Sequence, residues 1–281
     1  TRLAPEQPIE GEQFGWSVSL DGDGALVGSR TGDRALLYER QSSGEWSRVD
    51  EFTHADTNRD AGYGRTVVMA DGRVYIGAPY WGDPGDGQGA VLVYERASGS
   101  SWTLTETLRP AGGITDNFGW AVDAYEDELI VGGRRSTEAV LFVRQSDGSW
   151  SESHRFSDQR LSPSYDFGRS VAIRNGRLVV GAPNFGEQGA AFYYERQSAG
   201  QWSSPQQLTG SDQTLEAGFG PGAMLGASVA LGDDMMLVGA PLHAVPGHYS
   251  AGRTLLFDRP DLSQAPIAED DDITITEDTK S

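Results

Sequence analysis

Apolar residues fall along the chain in short runs broken by Gly, Pro, Asp and Asn, and none recur at i, i+3, i+4 and i+7 without an interrupting glycine. Helices are therefore not expected. The runs instead alternate or cluster as β-branched and aromatic residues do in strands: "LVVGAP" (178–183), "AVLVYER" (90–96), "AVLFVR" (139–144). "DG" at Asp71-Gly72 and "NG" at Asn175-Gly176 fit the positive φ of type I′ hairpins.

These runs repeat. A phrase opening "FGWSVSL" (14–20) recurs as "YGRTVVM" (63–69), "FGWAVDA" (118–124), "FGRSVAI" (167–173) and "LGASVAL" (225–231), at a spacing of roughly fifty residues that points to a propeller or solenoid. Each unit continues with a tight turn and a second strand ending in Gly and, in three units, Pro, which stop ladder pairing. A variable loop, a third strand, a Ser/Gly turn and an outer strand led by Trp46, Trp102, Trp150 or Trp202 follow. Four antiparallel strands per unit make a propeller blade.

The fifth unit lacks a Trp-led strand after "RTLLFDR" (253–259), whereas the start "TRLAP" matches "TLRP" at 107–110. The sequence thus predicts an all-β, five-bladed β-propeller of four-stranded antiparallel blades over residues 1–262, closed by Thr1–Pro5 as the last blade's outer strand. Residues 263–281 read as an acidic linker or the start of a following module.

Composition narrows the partners. The net charge of -19 sets nucleic acid and anionic membranes aside as partners, and no apolar run is long enough to span a bilayer. Without cysteine, disulfides, thiol catalysis and cysteine-held metal are excluded.

The two ends of the phrase, "FG.SVA" and "VGAP", resemble the FG-GAP repeat, the blade unit of integrin α-chain propellers and of many bacterial secreted proteins. The resemblance covers residues 14–259 and is fullest at Phe167-Gly168 with Gly181-Ala182-Pro183; the first and third units have "GSR" (28–30) and "GGR" (132–134) in place of "GAP". It implies a binding or adhesion module of a secreted or cell-surface protein. Integrin-type blades often carry a calcium loop between their first two strands, but the turns here, Asp21 to Gly24 included, are too short to wrap a cation. No metal or other cofactor is expected in the propeller. "APIAEDDDITITEDT" (265–279) resembles the opening of bacterial cadherin-like repeats, so calcium is expected, if anywhere, at this acidic tail of a longer, monomeric chain.

Catalytic patterns are lacking. His54, His154, His243 and His248 form no HExxH, "GWSVS" and its relatives lack the last glycine of a nucleophile elbow, and the innermost strands supply only Asp123 as a carboxylate, where a glycosidase needs two. No enzyme is expected.

Loops between strands two and three and between blades share one face and vary in length, which makes that face the expected binding surface. Tyr80, Trp81, Asp83, Asp86, Asn184, Phe185, His248 and Tyr249 combine aromatic faces with polar groups suited to sugars or protein hot spots. A second set follows the repeated glycine: Trp16, Arg65, Trp120 and Arg169, with Ala227 in the fifth unit. These either rim the central channel, or pack between blades with the arginines on interblade carboxylates. The resulting expectation is a non-catalytic module recognising extracellular protein or glycan; a lectin-like propeller and, more remotely, a glycoside hydrolase relative are the alternatives.

Overall fold

Each sequence repeat becomes one antiparallel sheet in the computed structural model, which describes residues 2–54, 61–82, 88–96, 101–112, 116–197, 200–210, 222–244 and 250–258. The first sheet is β1 (Phe14–Asp21), β2 (Gly24–Ser29), β3 (Ala35–Arg40) and β4 (Trp46–Phe52), paired in that order. The second is β5 (Thr66–Ala70), β6 (Arg73–Ala78), β7 (Ala90–Arg96) and β8 (Trp102–Leu108). The third is β9 (Ala121–Tyr125), β10 (Glu128–Gly132), β11 (Glu138–Arg144) and β12 (Trp150–Ser157), and the fourth β13 (Ser170–Arg174), β14 (Arg177–Ala182), β15 (Ala190–Glu195) and β16 (Gln206–Leu208). The last blade shows β17 (Ser228–Leu231), β18 (Met235–Ala240) and β19 (Arg253–Asp258) among the described residues. The molecule is all-β and five-bladed, as the repeats predict.

Local chemistry accounts for the turns. Asp71-Gly72 and Asn175-Gly176 have φ of 52° and 71°, and 49° and 68°, the paired positive values of a type I′ hairpin. Asp21 pairs with Gly24 across the equivalent hairpin of the first blade. The first three outer strands each slip register at one place, between Leu37 and Tyr38, Val93 and Tyr94, and Leu141 and Phe142. A bulge repeated at one position adds the same twist to each of these three blades.

The hydrophobic core is a series of layers between sheets. Leu26 and Leu37 of the first blade meet Val67 and Ile76 of the second. Tyr75 and Val93 meet Val122 and Val131, Ile130 and Leu141 meet Val171 and Val180, and Val179 and Tyr193 meet Met236 and Val238. Burying a Val- or Leu-sized side chain contributes about 1.5–3 kcal/mol, so each interface is a substantial share of the fold's stability. Polar ties reinforce the inner edge: the N–H groups of Val67 and Met69 donate to the Oγ of Ser17 (3.0 Å) and Ser19 (2.9 Å), and that of Ile173 to Asp123 Oδ2 (2.8 Å).

Among the described residues, the two end blades show no such neighbour on one face. Val18 and Leu20, at the positions of the buried Val67 and the partly buried Met69, are 67% and 72% exposed. On the opposite end, Met235, Leu237 and Leu256 are 49%, 41% and 40% exposed. Among the described residues the five blades stand as an arc with no strand beside β19, and the N-terminal segment lies on the first blade. Leu3 packs against Ala25, Val27, Leu36 and Tyr38, and Arg34 pins the segment by donating to Gln7 O (2.8 Å) and to Glu12 Oε2 (2.7 Å). A buried ion pair holds firmly to one partner because separating it would leave a charge unmatched out of water. The tail carboxylates from Glu269 to Asp278 lie outside the described residues.

Candidate functional site

One conformational device builds the mouth of the arc. The residue before each Phe-Gly pair or its equivalent, Gln13, Gly62, Asn117, Asp166 or Met224, has left-handed backbone, with φ of 55°, 67°, 54°, 54° and 60°. In four blades the chain then closes a tight turn, with the N–H of Arg65, Trp120, Arg169 and Ala227 donating to the carbonyls of Gly62, Asn117, Asp166 and Met224 at 3.0–3.1 Å. The side chain after the glycine is thereby delivered to the inner strand's entry. Thr66 Oγ1 donates to the carbonyl oxygen of Trp120 (2.6 Å), fixing the second and third blades relative to each other at this point.

The arginines gather on two indoles. Arg65 lies 3.6 Å from the ring centre of Trp120 and 5.4 Å from that of Trp16. Arg134 and Arg169 lie 5.0 and 5.2 Å from Trp120, and Arg30 lies 4.5 Å from Trp16. Tyr80 meets Trp120 edge-on at 6.3 Å and is 45% exposed. Cation–π attraction offsets part of the mutual repulsion of these guanidiniums.

Among the described residues, one carboxylate reaches the group. Asp166, buried in its turn, stands 3.7 Å from both Arg134 Nε and Arg169 Nη1, and accepts from the Arg135 N–H and from Asn184 Nδ2. Arg65 is 8% exposed, and its Nη1 is buried with no hydrogen-bond partner. Burial pushes the Arg65 guanidinium below its ordinary value, Tyr80 opposes this, and Arg30, Arg169 and Arg134 add to the lowering. Arg169 is lowered likewise, chiefly by burial and partly restored by Asp166.

The two expected sets are thus partly rearranged. Trp16, Arg65, Trp120 and Arg169 come together as one cluster, joined by Tyr80 from the loop set. Trp120 is buried between blades whereas Trp16 is 48% exposed, so the packed and the rim arrangements each hold for one tryptophan. Trp81 turns away, 4.5 Å from the His54 ring, and packs on the layer between the first two blades. Phe185 packs against Tyr165 and Phe192, and Asn184 supports Asp166. Asp83, Asp86, His248 and Tyr249 lie outside the described residues. Asp123 hydrogen-bonds the Ile173 N–H, and burial raises its pKa to about 6.

Arg30, Arg134 and Asp166 are the members that sequence reading missed. The signal was present: Arg30 and Arg134 stand in "GSR" and "GGR", where other blades have the proline of "GAP". The blades with Trp after the repeated glycine carry this second-strand arginine, and the second and fourth blades carry Arg after the glycine and proline at the strand end. Each of the first four blades therefore supplies one mouth arginine from one of two positions.

Residues 1–45 match the family model described as FG-GAP repeat, and the same build recurs in the other four blades. The molecule is a five-bladed β-propeller whose first blade matches the FG-GAP repeat. The crystal structure of a protein from Lactobacillus plantarum is similar to it, with a TM-score of 0.51 and 12% identity, covering 83% of this chain and 68% of that one. At that identity the likeness is one of fold alone. No curated protein matches the sequence. Within this propeller, the arginine-for-proline exchange at the strand end turns a structural position into a charged one.

Proposed function

We propose that this propeller is a non-catalytic binding module of a secreted or cell-surface protein, taking an extracellular protein or glycan at the mouth formed by Trp16, Arg30, Arg65, Trp120, Arg134 and Arg169. The observation that carries this reading is the concentration of arginines on aromatic rings with one carboxylate among them, on a rigid set of inner strands. Arginines elsewhere sit directly on carboxylates: Arg144 and Arg73 on Glu95 at 3.1 and 3.2 Å, Arg174 on Asp233 at 2.7 Å, Arg96 on Glu39 at 2.8 Å. A strained convergence of cations that stability does not need is a reason to look for a ligand. Asp123 is engaged by the neighbouring blade, which supports a binding rather than hydrolytic role.

The test is an immobilised chain probed on a glycan array and with purified extracellular matrix proteins, alongside Trp16→Ala. Retention that the variant loses, with the ligand recovered intact, is the expected result. Release of cleaved sugar, or equal retention by Trp16→Ala, would overturn the reading.

A further inference from the structure

We propose that the mouth accepts an acidic sugar, its carboxylate or sulfate group seated among Arg30, Arg65, Arg134 and Arg169 and its ring against the exposed aromatic faces of Trp16 and Tyr80. This rests on the binding-module reading and gives it a ligand class.

Charge accounting comes first. Four guanidiniums converge on two indole rings in a chain of net charge -19. Among the described residues, Asp166 is the one carboxylate within reach, at 3.7 Å from two of them, which leaves the described mouth with an excess of positive charge. Any anion is drawn to that spot and repelled by most of the remaining surface.

The second observation is the unmet donor. Arg65 is 8% exposed and its Nη1 has no partner. It lies between Trp16 and Trp120, at the centre of the cluster. A buried cationic N–H without an acceptor is costly, and an incoming oxygen would satisfy it. Stacking on Trp120 supplies attraction to the ring without supplying an acceptor, so the cluster holds together while its hydrogen-bonding capacity stays unused.

The ligand class follows from shape and charge together. Planar guanidinium forks match the oxygens of carboxylate and sulfate groups. Half-exposed aromatic faces beside them offer an apolar platform to a sugar ring, as in binding sites that join a few polar groups to aromatic walls. A long polyanion would lie across the acidic body, so the fit is to an acidic residue at a glycan's end.

Calorimetric titration at constant ionic strength tests this, with glucuronic acid, galactose 6-sulfate, glucose and inorganic sulfate as separate probes. Arg65→Ala could disturb packing, so the main variant is Arg30→Gln/Arg134→Gln, two partly exposed residues, with its melting temperature checked against the wild type. At least one acidic sugar is expected to bind at least tenfold more tightly than glucose, and to lose at least tenfold in affinity in this variant without a change in melting temperature. The two acidic sugars distinguish carboxylate from sulfate. Trp16→Ala should weaken the acidic sugar while leaving inorganic sulfate unaffected. Equal binding of glucose and the acids would overturn the acidic-sugar assignment and leave the binding module standing. Binding of inorganic sulfate with no acidic sugar would overturn the sugar platform. Silence in every arm, together with a blank array, would overturn both readings.

Discussion

Gly77 and Gly119 meet across the second and third blades so closely that a Cβ on Gly77 would stand 2.2 Å from the carbonyl oxygen of Gly119. The same contact recurs between Gly28 and Gly64 (2.1 Å), Gly132 and Gly168 (2.0 Å), and Gly181 and Gly226 (2.0 Å). The two glycines of the repeat phrase are therefore partners in different blades: the one ending a second strand receives the one opening the next blade.

Gly77→Ala must push two backbones apart and is expected to cost about 1–3 kcal/mol or to prevent folding. A Cβ on Gly239, at the same position in the last blade, would be tightest against the Oγ of Ser228, at 2.3 Å, a side chain that can rotate away. Gly239→Ala should cost about 1 kcal/mol or less. Urea unfolding of the two variants decides this, and equal losses would show that Gly239 is also packed against a following blade.

Val67 and Val18 make the matching test at the other end. Val67 is 2% exposed and Val18 67% exposed at one position of the repeat. Val67→Ala should lose about 1.5–3 kcal/mol, and Val18→Ala should fall within about 0.5 kcal/mol of the wild type. A large loss at Val18 would mean that the arc is closed in solution.

Asp123 links stability to pH. Its folded-state pKa is raised from 3.8 to about 6, so the folded protein prefers the protonated acid. The stabilisation is fully present below pH 3.8 and is lost as pH rises through about 6. Asp123→Asn keeps an oxygen for the Ile173 N–H without a charge to desolvate. The variant should gain on the wild type between pH 4 and 7 and end about 1 kcal/mol more stable, roughly 2–4 °C in melting temperature. A variant that melts lower than the wild type at pH 7 would contradict this assignment.

Tyr63 occupies the place of phenylalanine in the repeat phrase because its hydroxyl pairs with that of Tyr94 at 2.8 Å, both residues buried. Burial, with Tyr94 beside it, drives the Tyr63 hydroxyl well above its ordinary pKa. Tyr63→Phe leaves the Tyr94 hydroxyl unmatched and should cost about 1–3 kcal/mol. Adding Tyr94→Phe should recover part of that loss, and a double-mutant cycle measures the coupling.

The blades were legible because a strand's alternation and a hairpin's Asn-Gly or Asp-Gly are local facts, repeated five times. The placing of the N-terminal segment on the first blade was not, because Arg34 and Glu12, which anchor it, come together only in space. The mouth was half visible. Trp16, Arg65, Trp120 and Arg169 stand at one place in the phrase, but Arg30 and Arg134 stand at another, and only the approach of the second strand's end to the next blade's opening makes them one group. Asp166 was hidden as a turn residue, its left-handed backbone shared with residues that carry no charge.

Among the described residues, a Cβ on Gly15, the opening glycine of the first blade, would meet nothing within 4 Å, and one on Gly239 would lie nearest to Ser228. The molecule therefore has polarity, with a donor joint at one end and a receptor joint at the other, each identical in kind to the joints inside. A copy of residues 167–208 grafted after β19 would find its seat already shaped, and the four-arginine mouth, built wholly by the first four blades, would not have to be redesigned. Blade number and ligand chemistry are separately adjustable in this architecture.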